Sequence, residues 1–120
     1  MNFTGMTING GITMSLNSIY PAGTQKAIFG YGLLVASVQS MTNLVSDTGV
    51  VANDVTGVGT ARYGLAASGY GTDKAIFGYG VNGSSTIVSM TNLVSNTGVV
   101  ATDSTGVGTS RSGLAASSYG

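Results

Sequence analysis

Residues 41–71 read MTNLVSDTGVVANDVTGVGTARYGLAASGYG, and residues 90–120 read MTNLVSNTGVVATDSTGVGTSRSGLAASSYG. A second match stands upstream of each, with KAIFGYG at 26–32 and again at 74–80. The long match is a shift of 49 residues, from Met41 to Met90, and the short one a shift of 48, from Lys26 to Lys74. The additional residue lies in the connections, LLVASVQS at 33–40 and VNGSSTIVS at 81–89. Two near-identical units therefore run 26–73 and 74–120, preceded by a segment 1–25. Self-similarity at about 50 residues is the mark of propellers and solenoids, in which each repeat is one supersecondary unit.

Within a unit the patterning is that of short strands. KAIFGY (74–79) is apolar and aromatic between glycines, as in a buried strand, and IVSMTNLVS (87–95) is rich in β-formers. Asn96-Thr97-Gly98 then separates it from VVAT (99–102). A three-residue connection with glycine last predicts a hairpin whose Gly98 takes the left-handed conformation. DSTGVG (103–108) reads as a glycine-punctuated loop, and SRSGLAASSY (110–119) as an inner strand of small residues. Four antiparallel strands per unit follow, and no stretch holds a helical period free of glycine and β-branched clusters.

The first 25 residues continue the pattern in diverged form. Residues 15–25 (SLNSIYPAGTQ) stand where GLAASGYGTD (64–73) precedes the second KAIFGYG, with Pro21 as an insertion. Upstream, Asn9-Gly10 between alternating β-formers predicts a further hairpin.

The order of elements resembles a kelch-type β-propeller blade, in which a strand ends in paired glycines, two strands follow, and a small-residue strand opens with Arg. The matching residues are Ile28 to Gly32, Met41 to Ser46, Val50 to Asp54 and Ala61 to Ala67, repeated through Gly78, Gly80, Asp103 and Arg111. The resemblance covers about 100 residues. It departs from the family where Tyr31 and Tyr79 split the paired glycines and where the outer-strand Trp is missing. It implies an all-β fold with four-stranded antiparallel blades of a β-propeller, two blades per chain. A β-solenoid or a trimeric fibre module is the alternative architecture. An excised piece of a longer array, or a designed repeat, would show the same near-identity.

Propellers hide their edges by radial closure, typically with 4–8 blades. Two blades leave apolar faces wet and flat uncharged edges open, which is an aggregation hazard. The ring is therefore expected to be completed by homo-oligomerisation, as a cyclic trimer or tetramer. The strand at 110–120 would then complete the first blade of a neighbour, displacing or joining the strand at 12–20.

Composition narrows the function. Only 7% of the 120 residues are charged, against roughly 25% in ordinary soluble domains. Formal net charge is zero, and Cys, His, Glu and Trp are all missing. No cationic surplus exists to displace the counterions of a nucleic acid. Disulfides, Cys or His metal centres and histidine acid–base catalysis are excluded, and no cofactor is called for. Apolar residues reach 42% and mean hydropathy is +0.34, so disorder is not the reason for the low charge. The longest apolar stretch, at 33–38, is far short of the roughly 20 residues of a membrane helix. The opening residues carry no basic start or apolar block, so no cleaved signal peptide is expected. The sequons at Asn2 and Asn82 then carry no weight.

Charges recur in register: Lys26 with Lys74, Asp54 with Asp103, Arg62 with Arg111. The leading reading is an Asp–Arg bridge per unit, tying strands or adjacent blades. The functional alternative makes Arg62 and Arg111 an anion-binding ring at a channel mouth. GYGVNG (78–83) matches a dinucleotide fingerprint, but a strand-like SSTIV follows it where a helix is required. Tyr31 and Tyr79 are expected in core or inter-blade packing, and Met41 and Met90 as core filler. No nucleophile–base pair exists, so the chain is expected to be a non-enzymatic, self-assembling scaffold. The alternative is a carbohydrate- or receptor-binding module, lectin-like or of a phage-fibre type. A glycan would stack on the tyrosines, and the divergent connections 33–40 and 81–89 would carry specificity. Its Gly, Ser, Thr and Asn content suits an extracellular or virion surface.

Overall fold

The computed structural model describes residues 24–120 in full and, nearer the N-terminus, the backbone of two strands. Among the described residues the chain is all-β, with nine strands in small antiparallel sheets and no helix. Strand β1 (Asn2–Ile8) pairs with β2 (Ile12–Ser15), Ile8 opposite Ile12. The pair thus brackets the predicted Asn9-Gly10 turn. That turn and the diverged inner strand expected at 15–25, Pro21 included, fall largely on residues 9–11 and 16–23, which lie outside the described residues.

In the first unit, β3 (Ala27–Leu34) and β4 (Ser37–Val45) form a hairpin. Its register slips between Gly30 and Gly32, so Tyr31 sits on a bulge with φ +63°. Val55 and Val51 then bridge back to Thr42 and Val45 of β4. The chain continues through β5 (Arg62–Tyr63) into β6 (Ala66–Tyr70), then β7 (Lys74–Gly78), β8 (Val81–Asn82) and β9 (Thr91–Val94). β5 pairs with β8, β6 with β7, and β7 with β9. Val100 and Ser104 bridge to Val94 and Thr91.

β6, β7 and β9 thus form a three-stranded antiparallel meander, which residues 100–104 extend only through the two isolated bridges. Its first strand comes from unit 26–73, and the other two, with the bridging segment, from unit 74–120. The hydrogen-bonded layer straddles the boundary between the sequence repeats. Small residues in β6 (Ala66, Ala67, Ser68, Gly69) suit a strand lying at the joint of two units.

The hairpin turn at 96–98 forms as its residues dictate. Gly98 has φ +82°, its N–H donates to the Ser95 carbonyl, and Ser95 N–H donates to the Val99 carbonyl. Glycine is required there, because that φ is costly for any L side chain and a Cβ would meet Leu44 Cδ2 at 2.6 Å. After Gly78–Gly83 the chain turns back, Val81 bridging Ile87, so no helix follows the glycine fingerprint.

Three expectations need correction. The strand predicted over 87–95 is regular only at Thr91–Val94: before it, Ile87 bridges Val81 and the Met90 carbonyl accepts from Tyr79 N–H, where the facing chain is bent by the positive φ of Tyr79. The small-residue strand predicted at 110–119 forms only in the first unit, as β5 and β6. Residues 111–120 make no strand, whereas β6 has the KAIFG of the next unit, β7, as its partner. Met41 and Met90 are half-buried, not enclosed.

The core lies between the units. Tyr31, Phe77, Val94 and Val100 form it, with Ile28, Val58, Leu65 and Ala75 against them. The same residue types are treated unequally in the two copies. Phe77 is 3% exposed but Phe29 is 62% exposed, and Val100 is 8% exposed but Val51 is 53%.

Candidate functional site

The only fully buried large side chains among the described residues are Arg62 and Asn92, one from each unit. A buried cation requires compensation for lost hydration, so its partners define the site. Arg62 Nη2 donates to Asn92 Oδ1 at 2.6 Å, Nε to the Tyr79 carbonyl at 2.8 Å, and Nη1 to the Thr60 carbonyl at 3.0 Å. The guanidinium lies over the Tyr31 ring, Cζ 4.6 Å from its centroid, a cation–π arrangement.

Asn92 is aimed by its own unit. Its amide donates to Asp103 Oδ1 at 2.9 Å and to the Ala101 carbonyl at 3.1 Å, which turns Oδ1 toward the arginine. Asp103 in turn accepts from Thr60 N–H at 3.1 Å and Thr60 Oγ1 at 2.6 Å, and stands 4.0 Å from Arg62 Nη1. Partial burial pushes the Asp103 carboxyl up. The hydrogen bonds from Thr60 and Asn92 and the Arg62 charge outweigh that and hold it below the ordinary 3.8.

Tyr31 locks the arrangement from the other side. Its hydroxyl donates to the Val58 carbonyl at 2.9 Å, and its ring meets Phe77 edge-on with centroids 5.1 Å apart. Burial raises its pKa, against the opposing influence of Arg62. A non-glycine residue at positive φ costs about 1–3 kcal/mol, which these contacts repay. Phe77 reaches this position because Gly30 has no side chain: a Cβ there would stand 2.8 Å from Phe77 Cζ.

The structure places the two predicted site residues differently. Arg62 is fully enclosed and has no face open to a soluble anion. Arg111 is exposed. It lies over Tyr79 with Cζ 4.4 Å from the ring centroid, and Nη1 donates to the Thr109 carbonyl at 3.1 Å. Tyr79 is half-buried, with its hydroxyl on the Val107 carbonyl at 3.1 Å. The contributions of Asn92 and Thr60 escaped a reading confined to charges and aromatics. Their recurrence at Asn43 and Thr109, in register with Arg and Asp, was the available signal.

Chemically the joint is a satisfied structural clasp. Its carboxylate is occupied by three donors and its cation is sealed in. Comparison with known proteins gives no match to any family model and none to any curated protein.

Proposed function

We propose that this chain is a non-enzymatic, self-assembling scaffold of kelch-like β-propeller blades, closing a ring as a cyclic trimer or tetramer. One contrast carries the reading: Phe77 is buried under the preceding unit, while Phe29, at the same place in an identical heptapeptide, is bare. Burying a phenylalanine is worth about 1.5–3 kcal/mol, and the bare face adds Val51 to it. Such a face on a chain of zero net charge favours association. The antiparallel meander 66–70, 74–78, 91–94, extended by bridges from Val100 and Ser104, supports reading each layer as a blade.

Native mass spectrometry tests this. A discrete species of about 36 or 48 kDa, three or four chains of 11.9 kDa, is expected for a closed ring. A monomer at all concentrations overturns the reading, and an unbounded ladder replaces the ring with a fibre.

A second reading, a glycan-binding module, draws on one feature. The divergent connections flank an open cleft of about 450 Å³ lined by Leu33, Val38, Tyr63, Asn82 and Ser85. Tyr63 is exposed there and offers a stacking face beside polar groups. A glycan array probed with the assembled protein tests it, and an array blank throughout removes it.

A further inference from the structure

We infer that residues 109–119 of one copy dock on Tyr31, Asn43 and Asp54 of a second copy, repeating between chains the clasp that residues 60–70 make with the second unit. This rests on the scaffold reading and names the partner and the contact through which it assembles.

The two halves of the joint are present, separately, at opposite ends of the chain. The donating half is Thr60, Arg62 and β6, and its duplicate is Thr109, Arg111 and residues 115–119. The receiving half is Phe77, Tyr79, Asn92 and Asp103, and its duplicate is Phe29, Tyr31, Asn43 and Asp54. Every residue of the clasp is identical in the duplicate. The substitutions within the donating stretch, Ala61 to Ser110, Tyr63 to Ser112 and Gly69 to Ser118, leave the clasp residues untouched.

At Arg111 the donating duplicate already holds the pose that Arg62 has in the clasp. Arg111 over Tyr79, Arg111 to the Thr109 carbonyl and Tyr79 to the Val107 carbonyl reproduce the geometry of Arg62, Tyr31, Thr60 and Val58 to within 0.2 Å in each distance, as 4.4 against 4.6 Å, 3.1 against 3.0 Å and 3.1 against 2.9 Å. An arginine fixed before its partner arrives loses little freedom on docking.

The receiving duplicate is set in the same way. The Asn43 amide donates to Asp54 Oδ1 at 2.7 Å and to the Ala52 carbonyl at 3.2 Å, as Asn92 does to Asp103 and Ala101. Among the described residues no donor reaches Asn43 Oδ1, the atom that in Asn92 accepts Arg62. On β3, only the edge facing β4 is paired among the described strands.

The template also fixes the register. Ala66 opposes Gly78 and Tyr70 opposes Lys74. Between chains, Ala115 therefore opposes Gly30, Ser117 opposes Ile28 and Tyr119 opposes Lys26. The contact is head-to-tail, so it closes a ring when the rotation per chain divides a full turn and otherwise propagates.

The test mixes two variants. Arg111→Glu disables the donating end by placing a carboxylate against Asp54. Phe29→Glu disables the receiving end. Both residues are exposed in the single chain, so both variants fold. Each alone is expected at the mass of one chain, and an equimolar mixture as a 1:1 dimer that grows no further. Wild type that assembles while both variants also assemble overturns the docking and leaves the scaffold reading standing. Monomeric variants whose mixture stays monomeric overturn the head-to-tail contact. Wild type that is itself monomeric overturns both, and assigns the β3 edge to residues of its own chain.

Discussion

Arg62 of the first unit donates to Asn92 of the second across 2.6 Å, and both side chains are closed to solvent. A charge-assisted hydrogen bond in such a place is among the stronger contacts a protein makes. It joins two units that are also tied by the β6–β7 and β5–β8 pairings and a small apolar cluster. The duplicate arginine, Arg111, has the same local posture but is exposed.

Arg62→Ala strands Asn92 Oδ1 and the Tyr79 carbonyl in the joint. In dilute protein this is expected to cost about 3–5 kcal/mol. Arg111→Ala removes an exposed side chain and is expected within about 0.5 kcal/mol of wild type. Urea unfolding of the two variants below the assembly concentration measures the difference. Equal costs there would contradict the asymmetry.

Gly30→Ala drives a Cβ into Phe77 and Thr42 Cγ2, at 2.8 and 3.0 Å. Overpacking of this kind costs about 1–3 kcal/mol in the single chain. Gly78→Ala meets only Thr91 Cγ2, at 3.1 Å, so its folding cost is smaller. It should instead weaken assembly, where the Phe29 of another copy would occupy that space. Thermal melts for the first variant and sedimentation for the second separate these effects.

Tyr31→Phe deletes the hydroxyl bond to Val58 and keeps the ring under Arg62. The expected loss is about 1 kcal/mol, the net worth of one hydrogen bond. Tyr79→Phe, whose hydroxyl bond is exposed, should cost less in dilute protein. Chemical denaturation of the pair checks the order.

Acid should loosen the joint through Asp103. Its folded carboxyl lies below the ordinary 3.8, so its contribution to stability is complete above that pH and is lost as pH falls through the lower folded value. Asp73, held down by its hydrogen bonds from Asn96 and Lys74, adds to the same slope. Asp103→Asn is expected to lose about 1.5–3 kcal/mol near neutrality and to show a shallower decline between about pH 4 and pH 2. Unfolding midpoints at pH 6 and pH 2.5 measure it, and an unchanged slope would count against the carboxylate's part in the clasp.

The repeat, the Gly98 turn and the all-β character were legible because each depends on residues close in sequence. Gly98 had only to follow Asn96-Thr97 to be recognised. The partner of Arg62 was harder to read. Asp54 and Asp103 are duplicates, and only the tertiary arrangement decides that Arg62 meets Asp103, 41 positions away, by way of Asn92. The fate of residues 110–119 was hidden for a related reason. Their sequence matches that of β5 and β6, but a strand needs an edge, and the edge that β6 uses belongs to the following unit. Tyr31 between its glycines looked like a departure from the blade pattern. The bulge it occupies turns it into the platform on which Arg62 rests.

The measurement that most directly tests assembly through a duplicated clasp is disulfide trapping across the predicted register. The sequence has no cysteine, so Ser117→Cys with Ile28→Cys introduces a pair without background. Facing positions on neighbouring antiparallel strands lie about 4.5–5.5 Å apart at Cβ, close enough to bridge with small adjustment. Oxidation is expected to give covalent dimers and higher species ending at a closed trimer or tetramer on a non-reducing gel, while either single variant, with no facing cysteine, stays at the monomer position. An oxidised double variant that runs as a monomer, while native mass shows the assembled protein, would contradict the account.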